Sequence, residues 1–142
     1  MEENKNALDE VNKGCTMGIE AINAVLEKVS NINFKNDLEE ELKDYDKVEG
    51  KIHAIYDKYS KDEPHEIGTI TKVMTDMMMN MKTMIDYTDS KIAEILSQGT
   101  NMGIIEGVKI INNKKLNSEV KDILQEFVNM QEKAIENLKK YL

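Results

Sequence analysis

Gly14-Cys15-Thr16-Met17-Gly18-Ile19 and Gly99-Thr100-Asn101-Met102-Gly103-Ile104 lie 85 residues apart and share a Met-Gly-Ile step. Around the first, Leu8, Val11, Cys15, Gly18, Ile22, Val25 and Val29 recur at alternating three- and four-residue intervals, with Ile19 and Leu26 widening the stripe. That period marks an amphipathic helix over about residues 4–30. Asn31-Ile32-Asn33 interrupts it, and Asn36 or Asp37 is placed to cap a second helix with Leu38, Leu42, Tyr45, Val48, Ile52, Ile55 and Tyr59 as its buried stripe. The last helix begins near Asn117 or Ser118 and carries Val120, Leu124, Phe127, Met130, Ala134, Leu138 and Tyr141 on one side. It aligns with the second helix at a spacing of 82: Asp37 with Glu119, Leu38 with Val120, Leu42 with Leu124, Tyr45 with Phe127, Val48 with Met130 and Tyr59 with Tyr141. The chain thus reads as an internal repeat of two helical hairpins. One hairpin cannot bury its apolar face alone, so two copies paired about a pseudo-twofold axis are expected to make a four-helix core.

The middle of the chain is constrained by length. The segment Ser60-Lys61-Asp62-Glu63-Pro64-His65 holds the single proline and is expected to turn. From Glu66 to Asn113 no proline occurs, and an unbroken helix over 66–112 would be roughly 70 Å long at a rise of about 1.5 Å per residue. The preferred division is a helical crossover over about 66–88, a turn around Asp86-Tyr87-Thr88-Asp89-Ser90, and a second repeat over about 89–142 to match a first over about 4–60. The rival is one long third helix running to Ser97 or beyond. Either way residues 1–142 form a single all-α domain, as a chain of this length allows.

Composition excludes several activities. Hydrophobic residues make up 40% and charged residues 32%, and all 19 basic residues are lysines, a bias expected of an AT-rich bacterial genome. A net charge of −8 without a long basic run lacks the footprint of a phosphate-backbone binder, so nucleic acid is not an expected partner. One cysteine excludes an intrachain disulfide, the acidic start is unlike a signal peptide, and no apolar run approaches a transmembrane segment, so a cytoplasmic protein is expected. No nucleophile–base set, zinc spacing or phosphate-binding glycine motif occurs, and no cofactor and no enzymatic activity are expected. Cys15, on the core stripe of the first helix, is expected to be a buried structural thiol.

Two hairpins in tandem, joined by a long crossover and related by a repeat, resemble the ferritin-like superfamily, which includes rubrerythrins and bacterial spore-coat relatives. Within it the chain is most similar to bacterial helical proteins with a Met-rich third helix and a Gly-x-x-Met-Gly-Ile step, here Gly99 to Ile104. The resemblance implies a ferritin-like bundle and a spore- or stress-related role. Members with a di-iron centre carry a Glu on each of two helices and a Glu-x-x-His on each of the other two. This chain departs from that pattern: Glu49 and His53 are four apart, and the matching place in the last helix reads Gln131 and Ile135. Glu20, Glu49, His53 and Glu106 are the remaining metal candidates, and a degenerate iron site is the alternative function.

Methionines and glycines point toward packing and assembly. Met74, Met77, Met81 and Met84 fall on the core stripe with Ile70, and Met78 joins an adjacent row. Core filling or subunit contact is expected of them, with a Cu(I) site as a lesser alternative. Gly14 and Gly18, with Gly99, Gly103 and Gly107, recur every four residues. They are expected to let the two repeat-equivalent helices approach closely, or to let each meet another subunit. The expected protein is a self-associating structural or interaction protein, a homodimer or other homo-oligomer, whose other partners the sequence does not name.

Overall fold

A computed structural model describes residues 2–60 and 69–142, and these form five α-helices: α1 (Glu2–Val25), α2 (Ile32–Ile55), α3 (Thr69–Lys82), α4 (Asp89–Asn113) and α5 (Ser118–Leu138). Short 3₁₀ turns follow α1, α2 and α5 at Leu26–Lys28, Tyr56–Lys58 and Lys139–Tyr141. The expected turn at Pro64 and His65 lies outside the described residues. α1 ends a few residues sooner than its periodicity suggests, and α2 starts sooner. The reason is Asn31, whose Oδ1 accepts from the backbone of Asn33 at 2.8 Å and of Phe34 at 3.3 Å, satisfying amides that α2 cannot pair internally. Starting there recruits Phe34 to the core, where its ring stacks on Tyr141 with centroids 4.3 Å apart.

The long middle is broken. α3 stops at Lys82 and α4 starts at Asp89, so the continuous third helix does not form. No proline or glycine is responsible. Asp86 Oδ1 accepts from Thr88 N at 2.8 Å, and Thr88 Oγ1 in turn accepts from Lys91 N at 3.3 Å as the cap of α4. Two short polar side chains therefore offer the backbone an alternative to helix.

Around the core, α1 packs on α2, α3 and α5, α3 packs on α1 and α4, and α5 packs on α4 and α2. Five helices share the interior rather than the four a pair of hairpins requires. α3 contributes Ile70, Met74, Met77, Met78 and Met81 to it, all buried. Glu10 of α1 accepts from the backbone N–H of Ile70, fixing the first turn of α3 against α1.

Polar contacts across the bundle come in matched pairs at the spacings read from the sequence. Tyr141 Oη donates to Asp37 Oδ2 at 2.7 Å, while Tyr59 Oη donates to Glu119 Oε1 at 2.5 Å. Lys140 Nζ lies 3.0 Å from Asp37, and Lys58 Nζ lies 3.1 Å from Glu119. Lys133 reaches Asp44 at 3.4 Å, and Lys51 reaches Glu126 at 2.6 Å. Asp89 accepts from Ser30 N and Asn31 N at 2.8 and 2.9 Å, and Asn4, 85 residues earlier, accepts from Asn117 N at 2.8 Å. α2 and α5 thus run antiparallel, latched at both ends by a tyrosine on a carboxylate.

Each latch is a partly exposed hydrogen bond to a charged group, so Tyr59→Phe and Tyr141→Phe are each expected to cost about 1 kcal/mol. The two sites stand at opposite ends of a helix about 36 Å long, and the double variant is expected to show the sum. Urea unfolding of the three variants measures this.

Candidate functional site

At the centre of the bundle stands a polar pair. Gln131 Nε2 donates to Tyr45 Oη at 2.9 Å, and both side chains are fully enclosed. Gln131 Oε1 has no partner among the described residues. The two Met-Gly-Ile steps make the room for this pair. A Cβ on Gly18 would stand 2.6 Å from the Tyr45 ring, and one on Gly103 would stand 3.3 Å from Gln131 Oε1. The remaining glycines of α1 and α4 admit side chains in the same way: a Cβ on Gly14 would stand 2.9 Å from Ile70, one on Gly99 2.5 Å from Met77, and one on Gly107 2.8 Å from Val128. The glycine faces of α1 and α4 are therefore filled by side chains of α2, α3 and α5.

Among the described residues, no group of three or more carboxylate, imidazole or thiol side chains is placed to hold a metal ion. Glu20 on α1 and His53 on α2 are exposed, and Glu49 and Glu106 are half-buried. Glu106 belongs to α4, which packs on α3 and α5, and it lies 3.5 Å from Lys109. Burial raises the Glu49 carboxyl, and so does the charge of Asp46, against the lowering influence of His53 and of a hydrogen bond from Thr16. Cys15 is completely buried, and burial, with the charges of Glu49 and Asp46 behind it, pushes its thiol well up. That environment suppresses the thiolate a nucleophile needs. Of the Met-rich helix, Met74, Met77, Met78 and Met81 are buried, Met84 is half-buried, and Met79 is exposed.

Three buried ionisable side chains, Lys5, Glu10 and Glu41, escaped the sequence reading, and Glu41 is the one that lies on the core stripe of α2. The buried residues of α2 are Phe34, Leu38, Glu41, Tyr45, Val48 and Ile52, so the stripe runs through Glu41, and Leu42 is only half-buried. The three-and-four step from Leu38 to Tyr45 passes through Glu41 and carried that signal. The Glu41 carboxyl borders a cavity of about 10 Å³ between α2 and α5, the room of one water, together with Asp37, Glu40, Asp44 and Lys133. Lys133 is bonded to Glu40 at 2.9 Å and to Asp44 at 3.4 Å. Burial first, then the charges of Asp44 and Asp37, push the Glu41 carboxyl up to about 8, so it is neutral at pH 7.

The outer surface has its own irregularity. On α4, Met102, Ile105 and Val108 are 45%, 41% and 36% exposed at three-residue steps, so they form one apolar stripe pointing away from the core. The remaining large exposed hydrophobics, Ile32, Met79, Ile85 and Leu142, are scattered one to an element. No described helix is long and apolar enough to cross a membrane. Compared with models of protein families, with curated proteins and with solved structures, the chain finds no match.

Two sets of variants test the interior. Gly18→Leu is expected to cost at least about 2 kcal/mol by overpacking against Tyr45, and Gly103→Leu to destabilise as well. With alanine the order is expected to be Gly18 worse than Gly103. Gly50, with nothing near its Cβ position, should instead gain about 1 kcal/mol as Gly50→Ala, from helix propensity. Chemical denaturation ranks the three.

Glu41 gives the second test. Its carboxyl titrates near 4.5 when unfolded and near 8 when folded, so the folded chain holds the extra proton between those values. Stability from this group therefore falls as pH rises across that interval. Glu41→Gln is expected to melt several degrees above the parent at pH 8, the difference closing toward pH 4.5, as thermal scans at a series of pH values would record.

Proposed function

We propose that the protein acts by association, as a non-catalytic helical bundle that binds copies of itself. The observation that carries this reading is the stripe Met102, Ile105 and Val108, an apolar surface that the fold leaves in water. In a chain with 32% charged residues, such a stripe calls for a protein partner.

The architecture we assign to it is ferritin-like, two repeated hairpins with α3 as the crossover. The crosswise pairs support the repeat: a twofold relation between copies requires that if residue i of one meets j of the other, then j meets i in return. Tyr59 with Glu119 and Tyr141 with Asp37 follow that rule, as do Lys51 with Glu126 and Lys133 with Asp44. The repeat is thus argued from contacts as well as from letters. A cytoplasmic setting and a place in a protective layer, such as that of a spore or a stressed cell, complete the proposal by resemblance to the spore-coat relatives.

Light scattering on the purified chain tests the association. The expected mass exceeds 16.3 kDa and rises with concentration, while a constant monomer mass at every concentration overturns the reading. Metal analysis of protein purified without chelator, followed by iron titration, tests the rival. Stoichiometric iron that disappears in Glu49→Ala would replace self-association with metal binding as the preferred function.

A further inference from the structure

We infer that the outer face of α4 docks against the same face of a second copy, antiparallel, with Ile105 on the twofold axis. The inference rests on the self-association proposed above and gives it a place.

The first observation is a contrast inside the molecule. Positions 85 residues before Met102, Ile105 and Val108 are Met17, Glu20 and Asn23 on α1. Met17 is half-buried and the other two are polar and exposed, so an outward face of this kind is sustained without a stripe of exposed apolar residues. The stripe on α4 is therefore not a requirement of the bundle.

The second observation is the order of residues along the stripe. Counting outward from Ile105, Met102 lies three positions before and Val108 three after, Asn101 and Lys109 four, and Gln98 and Asn112 seven. An antiparallel partner therefore sets apolar against apolar at three, an amide against an ammonium at four, and an amide against an amide at seven. Further out, Glu94, eleven positions before Ile105, comes level with the partner's Leu116, next to the Lys114–Lys115 pair of opposite charge. A parallel partner would instead set Lys109 against the partner's Lys109, two like charges side by side. A surface that matches itself at three, four and seven positions from its centre under a twofold rotation fits a second copy of this chain and no unrelated sequence in particular. The patch is narrow, so the expected dimer dissociates on dilution.

Disulfide trapping on the full chain tests the geometry, with the wild type as a control because its one thiol, Cys15, is buried. Ile105→Cys should form a covalent dimer under mild oxidation about tenfold or more faster than Ile32→Cys, since thiols held together react at a raised effective concentration. Met102→Cys and Val108→Cys should each cross-link poorly alone and well when mixed, giving the mixed dimer. Ile105→Lys should keep the parent's melting temperature and lose the dimer. If the wild type dimerises while Ile105→Cys cross-links no faster than Ile32→Cys, or if Ile105→Lys still dimerises, this interface is wrong and self-association stands. Met102→Cys that cross-links as fast alone as in the mixture rules out the antiparallel register. A wild type that is monomeric throughout overturns both the interface and the reading it rests on.

Discussion

Space at two glycines decides whether five helices can share one core. α3 has to sink between its neighbours deeply enough to enclose Ile70, Met74 and Met81, and its side chains do so where α1 and α4 have no Cβ, at Gly14 and Gly99. Any larger residue there would push α3 outward, and the methionine row would face water instead of protein. Methionine suits this seat. An unbranched thioether bends into an irregular gap that a β-branched chain would not fill. The density of methionine in α3 is in this sense a consequence of packing a third helix against surfaces shaped by glycine.

The other half of the interior is organised by α2 and α5, and there polar groups set the register. At each end a tyrosine and a lysine converge on one carboxylate. Hydrogen bonds from Tyr59 and Lys58 hold the Glu119 carboxyl below its usual value. Burial raises the Asp37 carboxyl, but the bonds from Tyr141 and Lys140 outweigh it and the net shift is downward. With no arginine in the chain, the two-donor grip that a guanidinium gives in one piece is assembled from two side chains. Between the latches, the Tyr45–Gln131 bond fixes the middle. A slide of one helix along the other would break all three sets together.

Much of this is written in the sequence at the level of period and little of it at the level of partner. The apolar steps through Leu8 to Val25 and Val120 to Leu138 give α1 and α5 directly, because burial on one face is a local pattern. The break before α4 is visible as Asp86-Tyr87-Thr88-Asp89-Ser90. The early start of α2 is less so, because Asn31 is one of several residues that cap equally well and Phe34 decides between them by a stacking partner more than a hundred residues away. Glu41 was hidden by its own chemistry: a carboxylate on a core stripe is read as a boundary residue until burial is known. For the metal candidates, spacing places Glu49 and His53 one turn apart, while the assembly of three or more ligands depends on tertiary structure, and among the described residues no such group is placed to hold a metal ion.

The crosswise latches also bear on the order in which the chain is made. Asp37 closes on Tyr141, Ser30 and Asn31 on Asp89, and Asn4 on Asn117. A nascent chain that has emerged as far as residue 60 therefore has its first hairpin, with Tyr56 Oη on Asp9 across it, but none of the groups that latch α2 to α5, and the acceptor at Asp37 waits for Tyr141, 104 residues after it. Contacts of such long sequence separation form late and cost loop entropy before they return any stability. During synthesis the first hairpin is accordingly an open half with its apolar face uncovered, and the molecule becomes one cooperative body only when the second half arrives.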